Sequence, residues 1–303
     1  MFYLCIRLIT KHMDEITKIE TVDQYDQLFG LETLHPLVNV IDFSKATKSV
    51  EYIRMNIGFY CLFLKDAKCG DLKYGRKNYD YQEGTVVCMA PGQVSGIDNR
   101  NRTAPRTKSI GVLFHPDLIR GTSLGQNIKN YTFFSYEVNE ALHLSDQERE
   151  IVTDCIHKIR LELEHTIDKH SKQLIVRNIE LLLDYCMRFY ERQFITRNQA
   201  NKDIVVKFEQ LLDEYFQNQV AMTEGLPSVK YFADKACLSP NYFGDLIKKE
   251  TGKTAQEYIQ CRIIELAKER ILEGVQTVSQ VAYELGFQYP QHFSRLFKKH
   301  VGC

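Results

Sequence analysis

The sequence has no surplus of either charge: 39 Lys and Arg stand against 39 Asp and Glu in 303 residues. A neutral chain sets up no long-range field drawing it to nucleic acid or to a membrane surface. Long apolar runs are missing too, and nothing approaches the roughly 20 residues of a membrane span. The opening run from Phe2 to Ile9 is short, is broken by Arg7, and is followed by no small-residue cleavage site. None of the nine cysteines forms a C-x-x-C pair. That spacing points to neither a zinc site nor a disulfide framework, so a reducing cytosol is the expected setting. Phosphate-loop, dinucleotide and G-x-S-x-G phrases are likewise absent. The expectation is a soluble cytoplasmic protein of two or three domains with no catalytic residue, metal ligand or cofactor.

What the sequence does have is one structural phrase written twice near its end. Shifted by 49 residues, Ser228-Val229-x-x-Phe232-Ala233 falls on Thr277-Val278-x-x-Val281-Ala282. Shifted by 50, Pro240-Asn241-Tyr242-Phe243-x-x-Leu246-Ile247-Lys248-Lys249-x-x-Gly252 falls on Pro290-Gln291-His292-Phe293-x-x-Leu296-Phe297-Lys298-Lys299-x-x-Gly302. Two copies are too few for a solenoid. Each reads as helix, turn, helix. Ser228 and Thr277 suit N-caps, with Thr277-x-x-Gln280 a capping box. Cys237-Leu238 and Gly286-Phe287 supply the turns. Pro240 and Pro290 open the second helices, and Gly252 and Gly302 end them. The buried stripes fall on Phe243, Leu246 and Ile247, and on Phe293, Leu296 and Phe297.

Between the copies, Thr254-x-x-Glu257 is a further capping box and Ala255 to Glu273 is rich in strong helix formers, ending at Gly274. About 20 residues at 1.5 Å each span about 30 Å, close to the ~34 Å of one B-DNA turn. Two recognition helices at the ends of such a rod would meet successive major-groove segments.

These residues resemble the DNA-binding domain of the AraC/XylS family of bacterial transcription regulators. The matching text is Leu238-Ser-Pro-Asn-Tyr-Phe, Lys248-Lys-Glu-Thr-Gly252, Ile271-Leu, Val281-Ala, Leu285-Gly-Phe287 and Phe293-Ser-Arg-x-Phe297-Lys298. The resemblance covers about a hundred residues, from Asp203 to the end. The family pattern continues past its last Gly with Thr-Pro-x-x-Tyr-Arg, whereas the sequence given runs to Cys303.

The resemblance implies a base-contacting set. On the first recognition helix its positions fall on Asn241, Gly244 and Asp245, within a DNA-binding set that also takes in Ser239, which suits the N-cap, Tyr242, Lys248 and Lys249. On the second they fall on Gln291, His292, Ser294 and Arg295, with Gln288 and Tyr289 at the entrance and Lys298 and Lys299 beyond. Asn pairs with adenine, Asp accepts from cytosine, and Arg reads guanine. The lysines suit phosphate, which positions without specifying. From Leu226 onward eight Lys and three Arg face two Asp and six Glu, a mild +3. Affinity is therefore expected from local clusters.

Upstream, short β-branched and aromatic runs at Val38–Ile41, Ile57–Leu64, Thr85–Met89 and Ile110–Phe114 alternate with turn residues. They read as a sandwich or small barrel. Glu83-Gly-Thr-Val-Val-x-x-Ala-Pro-Gly92 resembles the second motif of cupin barrels, a fold that AraC-type sensor domains often have. The first cupin motif would supply two His and a Glu, and Lys65 to Gly84 contains no His. His35, His115 and His143 are far apart. A sensor for a small-molecule effector is thus favoured over a cupin-type enzyme, with a metal-free sensor carrying an appended DNA-binding module as the remaining alternative. Tyr60, Phe63, Tyr74, Met89 and His115 are the candidate pocket residues.

Two helices follow. Ser145-x-x-Glu148 caps the first, which buries Ile151, Val152, Cys155, Ile156, Ile159 and Leu163. After a break near Asp168 the second carries Leu174, Ile175, Ile179, Leu182, Leu183, Cys186, Met187 and Tyr190. That stripe is wide for one partner helix and suggests a homodimer contact. The expected fold class is α+β and multidomain: a cupin-like β-barrel over residues 1–140, a helical dimerisation segment over 141–197, a linker over 198–202, and an all-α double helix-turn-helix domain over 203–303, acting on double-stranded DNA with no membrane partner.

Overall fold

The computed structural model describes residues 16–65, 72–74, 77–79, 84–99, 109–137, 140–166, 168–196, 198–272 and 275–302, with backbone alone for 72–74, 77–79 and 198–200. The chain divides into two compact units, one ending at Gln193 and the other beginning at Phe194.

The described residues of the first unit form ten strands: β1 (Ile16–Ile19), β2 (Val38–Asp42), β3 (Tyr52–Ile57), β4 (Tyr60–Lys65), β5 (Leu72–Tyr74), β6 (Lys77–Tyr79), β7 (Thr85–Met89), β8 (Val94–Asp98), β9 (Ser109–Phe114) and β10 (Leu142–His143). They form two five-stranded sheets, ordered β1-β3-β8-β5-β6 and β10-β7-β4-β9-β2. Among the described residues only β1 pairs in parallel, with β3. Helix α1 (Val22–Phe29) starts at a Thr21–Gln24 capping box and stops at Gly30 in the left-handed region. It contributes Val22, Tyr25 and Phe29 to a closed apolar core with Met55 and Ile57 of one sheet and Ile41, Cys61, Phe63, Met89 and Leu113 of the other. Gly111 is required there: a Cβ would lie 2.4 Å from the Phe63 ring.

Strand alternation sends Leu62, Leu64, Val86, Cys88, Val112 and Phe114 to the opposite face of the second sheet, and they too are buried. Burial on both faces is why these strands read as unbroken apolar runs. Short helices α2 (Pro116–Ile119) and α3 (Ser123–Asn127) and the 3₁₀ turn Thr132–Ser135 follow β9. Then come α4 (Asp146–Glu164), with its Ser145–Glu148 capping box, and α5 (Ser171–Thr196). Helix α4 packs on β2 and β9. Helix α5 buries Ile175, Ile179, Leu182, Leu183, Cys186 and Tyr190 as the spacing requires, while Leu174 remains exposed. Arg192 donates to both Glu148 oxygens at 2.9 and 2.7 Å and to His143 O at 2.7 Å.

The second unit is all helical: α6 (Asn198–Gln217), α7 (Val220–Glu224), α8 (Val229–Ala236), α9 (Pro240–Thr251), α10 (Ala255–Leu272), α11 (Val278–Glu284) and α12 (Pro290–Val301). Residues 198–202, polar in composition, are helical and open α6. The stretch 218–227 contains α7, fastened by a 2.9 Å hydrogen bond from Tyr215 Oη to Gly225 O. Phe208 lies at the centre of the unit's first half, with ring centroids 5.1 Å from Phe232 and 5.2 Å from Phe243. Helix α10 buries Ile259, Ile263, Ile264 and Ala267. Among the described residues no helix is long and apolar enough to cross a membrane.

Candidate nucleic-acid interface

The repeated phrase folds as the same object twice. Ser228 Oγ accepts from Tyr231 N at 3.2 Å, and Thr277 and Gln280 close a reciprocal capping box. Both turns carry the same pair of hydrogen bonds. In the first copy Leu238 N donates to Ala233 O and Cys237 N to Asp234 O. In the second Phe287 N donates to Ala282 O and Gly286 N to Tyr283 O. This double bond closes a helix through one left-handed residue. Cys237 holds that place at φ 58° and Gly286 at φ 91°. Gly286 has a second reason to be glycine, since its Cβ would lie 2.7 Å from the Gly225 carbonyl carbon.

Helices α9 and α12 then start alike, with Pro at the first position, and stop alike, at Gly252 and Gly302. On α9, Phe243, Leu246 and Ile247 are fully buried. Asn241, Gly244, Asp245 and Lys248 share the opposite face, at helical spacing. Asn241, Lys248 and Lys249 are exposed, Asp245 is half-buried, and a Cβ at Gly244 would meet open space. Ser239 and Tyr242 do not belong to this face. Both are buried, because Ser239 is the N-cap, accepting from Tyr242 N at 3.2 Å, and Tyr242 stands one turn before Leu246 on the inward side. That spacing was readable beforehand.

On α12 the face is continuous. Gln291, His292, Ser294, Arg295, Lys298 and Lys299 are all exposed, as are Gln288 and Tyr289 just before them. The His292 ring lies 5.5 Å from that of Tyr289. The Ser294 hydroxyl donates back to Pro290 O at 3.1 Å. Of the apolar stripe only Phe293 is fully buried, while Leu296 and Phe297 are half-exposed.

One neighbour of both faces carried no signal in the repeat. Glu257 lies in the first turn of α10, where hydrogen bonds from Thr254 backbone and side chain hold its carboxyl below the usual range. Lys248 from α9 and Lys299 from α12 lower it further. The basic ends of both helices thus act electrostatically on one carboxylate.

In the first unit the expected pocket residues do not converge. Phe63 and Met89 are packed in the closed core. Tyr60 is three residues from Phe63 on the same strand, so it faces the other side of the sheet. There its ring stacks on Phe114 at 5.0 Å. His115 is the N-cap of α2, its Nδ1 accepting from Asp117 N at 3.2 Å. The side chain of Tyr74 lies outside the described residues. Two open clefts lie elsewhere, one of about 290 Å³ beside Asp42, Lys45 and Arg160, the other of about 370 Å³ beside Leu64, Ile110 and His157. No group of three His, Cys, Asp or Glu among the described residues is placed to hold a metal ion.

Comparison with known proteins bears on the second unit. Residues 232–303 match the family model described as a helix-turn-helix domain. The probable transcriptional regulator LumQ of Photobacterium leiognathi is 22% identical over 223 residues, covering 73% of this chain and 80% of its own. The uncharacterized HTH-type transcriptional regulator YobQ of Bacillus subtilis is 36% identical over 75 residues, 25% of this chain and 31% of its own. Among solved structures, that of ToxT from Vibrio cholerae aligns over 86% of this chain and 92% of its own, at 13% identity and a TM-score of 0.27.

Proposed function

The C-terminal region being a helix-turn-helix domain of the AraC type, we propose that this chain is a transcription regulator that reads two successive major-groove segments of duplex DNA. The observation that carries the reading is the duplicated unit itself. One cap, one turn, one opener and one stop recur, and each copy turns a polar, basic-ended helix face outward. The 18 residues of α10, at 1.5 Å each, amount to about 27 Å, which suits two faces one turn of duplex apart.

Roles follow from chemistry. Arg295 takes guanine, and Asn241 and Gln291 take adenine. Lys248, Lys249, Lys298 and Lys299 hold phosphate. With Gly244 bare and Asp245 acidic, the first copy reads fewer bases than the second. The N-terminal unit, a cupin-like pair of sheets, serves as the sensor of a small-molecule effector and has no catalytic role. Exposed Leu161, Leu174 and Leu181 on α4 and α5 give it the surface of a homodimer contact, and the protein works in the cytoplasm.

The test compares two neighbouring substitutions in the full chain. Arg295→Ala is expected to cost about 1–3 kcal/mol of binding and to relax preference at one guanine, whereas Lys298→Ala weakens all sequences alike and lowers the salt slope by about 1. Unchanged base preference in Arg295→Ala would remove the assignment.

A further inference from the structure

Two buried residues near the start of the second unit, Phe194 and Asn201, touch helix α9. Phe194 is 6% exposed and Tyr242 4%, with ring centroids 5.0 Å apart at a tilt of 41°. Tyr242 sits in the first turn of α9. Seven residues after Phe194, Asn201 is 2% exposed, too buried for its amide to find water. Its Nδ2 donates to Phe194 O at 2.8 Å, a carbonyl in the last turn of α5. The same Nδ2 reaches Glu250 Oε1 at 3.4 Å, in the last turn of α9. One short segment thus touches α9 near both ends. It does so from outside residues 232–303, the part that matches the helix-turn-helix family.

We propose that Phe194 and Asn201 are positioning residues that clamp α9 at Tyr242 and Glu250 and so fix how the first reading helix is presented. Neither residue is exposed enough to touch DNA, so both act through α9. Helix α12, on the second copy, has no contact with this pair among those observed. The clamp stands on the geometry of the second unit. Its consequence for base reading rests on the function proposed above.

Two measurements on the full-length chain separate these claims. The first is amide hydrogen exchange without DNA, in Phe194→Ala, Asn201→Ala and the isosteric Asn201→Asp, which removes the amide donor. Exchange of the α9 amides from Phe243 to Ile247 is expected to rise about tenfold or more, with those of α12 unchanged and Phe194→Leu restoring most of the protection. Unchanged α9 exchange overturns the clamp, and so does an equal rise in α9 and α12, which would mean general loosening. The second is selection of bound duplexes by the same variants. Loss of the bases read by α9, with those read by α12 retained, is the expected result. Equal loss at both, or at neither, overturns the positioning role. A wild-type chain that selects no duplex refutes the DNA-reading function, while the exchange result still decides the clamp.

Discussion

Asp26 is fully buried on α1 with an arrangement that leaves one oxygen unpaired. Thr33 Oγ1 and Asn39 Nδ2 each donate to Oδ2 at 2.8 Å, while Oδ1 has no partner. Burial raises its pKa to about 6, the two hydrogen bonds pull it down, and Asp23 pushes it up again. The folded chain therefore holds a proton on this carboxyl at a pH where the unfolded chain, titrating near 3.8, has lost it. Folding gains stability from this group as pH falls from about 7 to about 5, opposite in sign to an ordinary paired carboxylate. Asp42 and Glu257, whose values are lowered, lose their stabilisation only at more acid pH. Thermal midpoints across that interval check the assignment. Asp26→Asn should flatten the rise relative to the parent chain, and an identical slope in both would contradict it. At the same scale, Tyr242 shows how a residue inside a recognition phrase can be structural. Its place one turn before Leu246 sends it inward.

Among the elements, the helical ones were the most legible. Capping boxes at Ser145 and Thr277, prolines at the first position of α9 and α12, and closing glycines all lie where their chemistry puts them. A box at Thr21–Gln24 spells out α1 just as plainly, although its eight residues lack the long periodic run that draws attention. The sheets were harder to read. β3 and β8 carry Arg54, Asn56, Ser95 and Gly96 among apolar residues, so no run stands out. Residues 198–202 are helical, and their polar composition gives no sign of the burial of Asn201. On a sheet buried on both faces, aromatic composition does not distinguish a pocket lining from core, as Phe63 and Tyr60 show. The caps also yield a quantity. Thr277→Ala removes one half of a capping box and should cost about 1 kcal/mol, whereas Val278→Ala, beside it and exposed, should cost far less. Equal midpoints in urea for both variants would mean that the box carries no stability.

For the whole molecule, a balanced charge has consequences for how DNA would be found and held. Without a global field, affinity must come from the lysines at the ends of α9 and α12 together with base contacts. Glu257 near Lys248 and Lys299 offsets part of even that. Such a protein should bind arbitrary sequences weakly and depend on its specific contacts. Helices α9 and α12 belong to one compact unit, tied by α10 and by the close approach of Gly225 to Gly286. If both read DNA as proposed, their spacing is a fixed quantity that a binding site would have to match. The measurement that tests this most directly is selection of bound sequences from random duplex DNA by the full chain at two salt concentrations. Two enriched boxes about one helical turn apart, the one read by α12 carrying a guanine lost in Arg295→Ala, is the predicted result. Enrichment of a single box, of two boxes at variable spacing, or of none at either salt would contradict it.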